Sequence, residues 1–127
     1  MVTVKPDWTE NVSLHSSSSV AAGGSATDDI DLDNLGADCV NVQIEIIFTG
    51  TVDGDVLVEV FSSPDSGTND DTEPITSLRI PETASATKKV TIKLENLAYA
   101  AIKVTNNDST ASVTYESIYA WRNWLSA

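Results

Sequence analysis

Basic side chains are scarce in this chain. Seven Lys and Arg stand against nineteen Asp and Glu, and the net charge is −12. A phosphate backbone has to be neutralised by a basic patch, so this balance argues against nucleic acid as a partner. It argues equally against an anionic membrane surface. It suits a soluble protein that repels its own copies in bulk, a partner with a basic surface, or divalent cations in the medium. Cysteine occurs once, as Cys39, so no disulfide can form within the chain. Cys39 lies in an apolar alternating run between Asp38 and Val40. It reads as a buried free thiol, with no adjacent cation to make it reactive. The fold must therefore hold by packing alone. No segment approaches the ~18 apolar residues of a membrane-spanning helix. Residues Met1 to Asp7 lack the charged, apolar and small-residue order of a signal peptide. The expectation is synthesis in the cytoplasm, without export by the general route.

Residues for covalent and metal chemistry are equally thin. The one histidine, His15, precedes the serine run Ser16 to Ser19. Neighbours along a strand point to opposite faces, so the sequence offers no Ser–His pair and His15 reads as a surface residue. One His and one Cys serve zinc poorly. Carboxylates are numerous enough for an acid pair of the glycosidase kind, but three Trp, three Tyr and two Phe leave few aromatics to line a sugar cleft. Ala22-Gly23-Gly24-Ser25 lacks the lysine and the following helix of a phosphate loop. No catalytic residue is expected. Calcium remains as the one conceivable cofactor, because the segment from Asp28 to Asn34 is dense in hard oxygen ligands. Its candidates are Asp29, Asp31 and Asp33. The glycine and glutamate of an EF-hand loop are missing, and a strand reading puts these three carboxylates on a solvated face.

What the sequence does have is period-two alternation. Val40, Val42, Ile44, Ile46 and Phe48 fall on one side of a strand, with Asn41, Gln43 and Glu45 on the other. Val56, Val58 and Val60 repeat the pattern after the turn-rich stretch Gly50 to Asp55, and the two runs read as a hairpin. Val90 to Leu94 and Ala100 to Thr105 alternate likewise and read as a second hairpin through Asn96-Leu97-Ala98. Asn106 to Ser109 makes a turn, because Asn and Asp bond their own backbone. A last strand from Ser112 to about Arg122 sets Val113, Tyr115, Tyr119 and Trp121 together. Val12 to Val20, Ala26 to Leu32 and Ile75 to Ile80 are weaker strands, and Asn34 to Asp38 is at most a single helical turn.

About eight antiparallel strands in 127 residues bury one face each only as two packed sheets. The fold class is an all-β, eight-stranded antiparallel β-sandwich or jelly roll in one domain. Residues 1–10 form an N-terminal arm and residues 11–127 the sandwich. Ser62 to Glu73 is an exposed loop. Trp8, Trp121 and Trp124 are the candidate interface anchors, since tryptophans near a chain end are costly in water.

Several of these segments resemble a known group. Val56 to Pro64 runs into Asp65, Ser66 and Gly67, then Asn69-Asp70-Asp71-Thr72-Glu73-Pro74. Ile102-Lys103-Val104-Thr105-Asn106-Asn107-Asp108 then precedes a valine-containing closing strand. From about Glu10 onward this is similar to small β-sandwich virion proteins of tailed bacteriophages. The resemblance implies a non-enzymatic structural part of the particle, such as a capsid decoration (cement) protein, a head fibre, or a head or tail accessory piece. It implies major capsid or other virion proteins as partners, and assembly of copies around symmetry axes, often as trimers. It carries no catalytic residues. The alternative is a carbohydrate- or receptor-binding sandwich of a fibre or tail, with Trp8, Trp124 and Tyr99 as stacking residues.

Overall fold

The computed structural model describes residues 8–49, 54–64 and 71–123. It contains eight strands: β1 (Val12–Val20), β2 (Ser25–Asp31), β3 (Ala37–Phe48), β4 (Asp55–Ser63), β5 (Thr76–Pro81), β6 (Thr87–Glu95), β7 (Tyr99–Asn106) and β8 (Val113–Asn123). A one-turn helix, α1 (Leu32–Leu35), joins β2 to β3. One four-stranded sheet has the order β1-β8-β3-β6, the other β2-β7-β4-β5, and the ladders are antiparallel. The expected all-β sandwich is observed, in jelly-roll order. No helix among the described residues is long and apolar enough to cross a membrane.

Both expected hairpins are absent. β3 and β4 lie in opposite sheets, and so do β6 and β7. Consecutive strands switch sheets everywhere except between β4 and β5. The physical reason is distance: packed sheets lie ~10 Å apart, a span that even the three residues Asn96 to Ala98 can bridge. Asn96 sits at φ 61°, in the left-handed region that Asn tolerates. Alternation thus identifies which side chains are buried, and leaves open which strand lies alongside.

The inward faces are those read from the sequence. Val40, Val42, Ile44 and Ile46 of β3 are fully buried, as are Val56, Val58 and Val60 of β4 and Ile102 and Val104 of β7. On β8, Val113, Tyr115, Tyr119 and Trp121 stand opposite Phe48, Ile46, Val42 and Val40. The four outer strands contribute little. β1, β2, β5 and β6 each bury one residue: Val20, Ile30, Ile80 and Leu94. Cys39 is a buried free thiol whose ionisation is pushed up by burial.

The helical turn starts two residues before the expected position. The Asp31 side chain ends β2 and accepts a hydrogen bond from the Asn34 N–H at 3.0 Å. Gly36, at φ 66°, closes the turn by donating to the Asp33 carbonyl. At the other end of the sandwich Asn106 is the tie. Its Nδ2 donates to the carbonyls of Val20 (3.1 Å) and Ala111 (2.9 Å), and its Oδ1 accepts from the Asp108 N–H (3.0 Å). Asp108 Oδ1 in turn accepts from the N–H groups of Thr110 and Ala111, both at 2.7 Å. The Asn106 to Ser109 turn therefore forms by the expected mechanism.

Candidate functional site

The two sides of the sandwich differ. On one side the edge strands β5 and β6 part and leave a groove of about 420 Å³. Its apolar lining is Ile75, Leu78, Val90, Ile92, Leu94 and Leu97. The strand register explains it. Leu78 lies opposite Val58, and Val90 and Ile92 lie opposite Ile44 and Val42, so all three point between the sheets. At the margin no further strand among the described residues covers them. Ile75 is 51% and Leu78 36% exposed.

Cations gather on this side: Arg79 on β5, and Lys88, Lys89 and Lys93 on β6. These are four of the seven in the chain. Arg79 pairs with Asp55 (3.0 Å), Lys89 with Glu45 (3.3 Å) and Lys93 with Glu95 (3.5 Å), while Lys88 donates to the Pro81 carbonyl. The three ion pairs are largely exposed, so each is weak and open to exchange.

The opposite side is held together by polar contacts. His15 Nδ1 lies 3.1 Å from the Asp28 carboxylate, and Nε2 lies 2.7 Å from Ser18 Oγ. Tyr115 stacks on the imidazole at 4.2 Å, and its hydroxyl donates to Asp28 at 3.2 Å, with Ser117 Oγ 3.1 Å away. Burial and the neighbouring Asp28 push the Tyr115 hydroxyl far above its ordinary ionisation. The sequence reading excluded a Ser–His pair, and the structure corrects this. β1 carries two register shifts, on either side of His15, so strict alternation fails and Ser18 turns back onto the ring. Acyl transfer would further require a cleft with oxyanion donors. Ser18 is exposed on an edge strand, and it lines none of the surface depressions at β5–β6, at Asn41–Gln43, at Glu45–Glu116 and at Asp33–Asn96. The contacts instead clasp β1 of one sheet to β2 of the other.

The calcium candidates do not converge. Asp29 is exposed on β2, Asp31 is engaged in capping α1, and Asp33 is exposed in the first turn of α1. The strand reading of Asp33 is thereby corrected, since β2 ends at Asp31. Among the described residues no three His, Cys, Asp or Glu are grouped as a metal would need. Of the tryptophans, Trp121 packs against the core and stacks on Tyr119 at 5.5 Å. Trp8 is 40% exposed, with the Arg122 guanidinium 5.8 Å from its ring. Trp8 bridges to Arg122, and the Thr9 N–H donates to the Trp121 carbonyl, so the end of the expected arm lies along β8. Trp124 falls outside the described residues. Tyr99, an expected sugar-stacking residue, is buried instead. A smaller amide-lined depression of about 230 Å³ lies on the outer face of the first sheet, between Asn11, Asn41, Gln43 and Ile118.

Three carboxylates are held below the ordinary range: Asp38 by the Arg122 guanidinium at 2.9 Å, Asp55 by Asn107 and then Arg79, and Asp108 by the N–H groups of Ala111 and Thr110. A carboxylate whose folded-state value is depressed stabilises the fold above its unfolded value, here 3.8, and loses that contribution as pH falls through the folded value. The melting temperature should therefore be flat from about pH 7 to 5 and fall steeply below about pH 4. Asp38→Asn should flatten part of the acid limb, as read by melts followed by circular dichroism.

No family model and no curated protein sequence matches the chain. Solved structures do match in fold. The PRD1 vertex protein P5 aligns with a TM-score of 0.54 at 14% identity, over 90% of this chain and 73% of that one. The CBM22-1 xylan-binding domain of Paenibacillus barcinonensis Xyn10C aligns with a TM-score of 0.52 at 11% identity, over 95% and 97%. A subunit of the disulfide-linked Bacillus endospore appendages aligns with a TM-score of 0.50 at 14% identity, over 98% and 96%. At these identities the likeness is one of architecture, and this chain is similar in fold to structural and carbohydrate-binding sandwich modules.

Proposed function

We propose that this chain is a non-enzymatic structural protein of a tailed-bacteriophage virion, of the capsid decoration (cement) or head–tail accessory kind, made in the host cytoplasm and attached to the particle surface. The observation that carries the reading is the uncovered apolar β5–β6 margin, where Ile75 and Leu78 stay exposed beside a closed core. An apolar margin rimmed by charge is the usual form of a protein contact surface. The resemblance from about Glu10 onward and the fold likeness to a phage vertex protein support the virion setting. The test is quantitative mass spectrometry of purified particles. A fixed ratio to the major capsid protein is expected, and absence from the particles overturns the reading. Ser18 should also stay unlabelled by a fluorophosphonate probe, whose covalent capture there would end the non-enzymatic description.

The second reading is a glycan-binding module. It is favoured by the amide-lined depression at Asn41 and Gln43 and by the fold likeness to a xylan-binding domain. A glycan array decides it, with Asn41→Ala and Gln43→Ala expected to remove any signal found.

A further inference from the structure

We infer that copies of this chain associate head to tail, the β1–β2 side of one against the β5–β6 side of the next; the inference extends the reading of the chain as an assembling surface protein. Four large apolar residues are conspicuously exposed among the described residues, two on each side. Trp8 and Val12 (40% and 38%) lie on the β1 side, and Ile75 and Leu78 (51% and 36%) on the β5 side. Charge divides the same way. β2 carries Asp28, Asp29 and Asp31 and no cation, while β5 and β6 together carry four cations and one carboxylate, Glu95. Within a chain of net charge −12, cations outnumber carboxylates along this margin. The cations' own pairs are exposed, so they can re-pair with the next copy's carboxylates.

Among the described residues both sides also end in strands with a free edge, since β1 and β6 bound one sheet and β2 and β5 the other. Free edges present unpaired N–H and C=O groups that a further strand can satisfy. The bulges in β1 disfavour continuous pairing there, whereas β2 pairs with β7 in unbroken register. The β2 edge of one copy is therefore the element placed against β5 of the next. Because two different surfaces meet, the contact is heterologous. It closes a ring if the rotation between copies closes, and otherwise extends as a filament.

Light scattering on the full chain tests this. A mass of several times 13.5 kDa is expected for the wild type. Arg79→Glu with Lys93→Glu should return the mass to that of one chain, and so should Thr27→Lys with Asp29→Lys, all four positions being exposed. An equimolar mixture of the two variants should restore the larger species, because their intact sides are complementary and their reversed sides are complementary to each other. Unchanged far-ultraviolet circular dichroism spectra with a cooperative melt exclude misfolding of the variants. Independently of any variant, carbodiimide treatment of mixed light and heavy isotope wild-type chains should join the Asp29 segment of one copy to β5–β6 lysines of another.

A wild type of 13.5 kDa at every concentration overturns the inference; the lysines of β6 would then serve to keep a free edge solitary. An oligomer indifferent to both reversals overturns it too. Particle binding is read separately. Monomeric variants still bound to particles leave the virion reading intact, and an oligomer absent from particles defeats that reading alone.

Discussion

Ile44→Asp should leave the chain without a cooperative unfolding transition. Ile44 is fully buried near the middle of β3, a central strand flanked by β6 and β8. Its register partners are Val90 and Ser117, and its face continues through Val42 and Ile46. Removing the side chain forfeits about 1.5–3 kcal/mol of apolar burial. An ionised carboxylate in its place adds a penalty of several kcal/mol, because no cation is buried among the described residues to pair with it. Together these rival the ~5–15 kcal/mol that holds a typical domain. Gln43→Asp, one residue away and facing outward, should move the melting temperature by only a few degrees. Thermal and urea melts of the two variants make the comparison. A cooperatively folded Ile44→Asp protein would mean that the inward face of β3 has been misassigned.

The second large effect is expected at Asn106. Its side chain is buried and joins three elements, the end of β1, the end of β7 and the approach to β8. Asn106→Ala strands the carbonyls of Val20 and Ala111 and the N–H of Asp108 without their partners. An unsatisfied buried group costs about 1–3 kcal/mol. With partial relaxation the loss should be about 3 kcal/mol, a drop in melting temperature of ~10 °C for a domain of this size. Asn106→Asp should be no better, since it keeps the acceptor for Asp108 N–H but cannot donate to either carbonyl and adds charge beside Asp108. Urea unfolding reads the effect as a lower midpoint at unchanged slope. A loss below about 1 kcal/mol would show that water replaces the amide and that this end of the sandwich is not sealed by it.

These two sites show where sequence reading succeeds and where it stops. The burial of Ile44 follows from period two alone, because a half-buried strand must alternate. The Asn106 turn is equally local, since Asn and Asp bond backbone within a few residues. The hairpins read at Gly50 to Asp55 and at Asn96 to Ala98 were wrong for a related reason. A short loop between apolar strands is compatible with pairing side by side and with packing face to face, and local pattern does not distinguish them. His15 shows the same limit in the opposite sense. Strict alternation separates it from Ser18, but two register shifts in β1 break the rule and bring them within 2.7 Å.

The candidate surface was the least legible part. Ile75, Leu78, Val90 and Ile92 look like ordinary core residues in sequence. They line an open groove only because β5 and β6 are the last strands of their sheets. The tryptophans carried the stronger sequence signal, yet Trp121 packs inward. The sequence by itself determined that this chain is all β, which faces of its strands are buried, and that packing without disulfides must hold it, because side-chain periodicity and composition are local properties. Only the tertiary structure decided which strands are neighbours and which lie at the margins, because strand order is set by contacts between residues far apart in the chain.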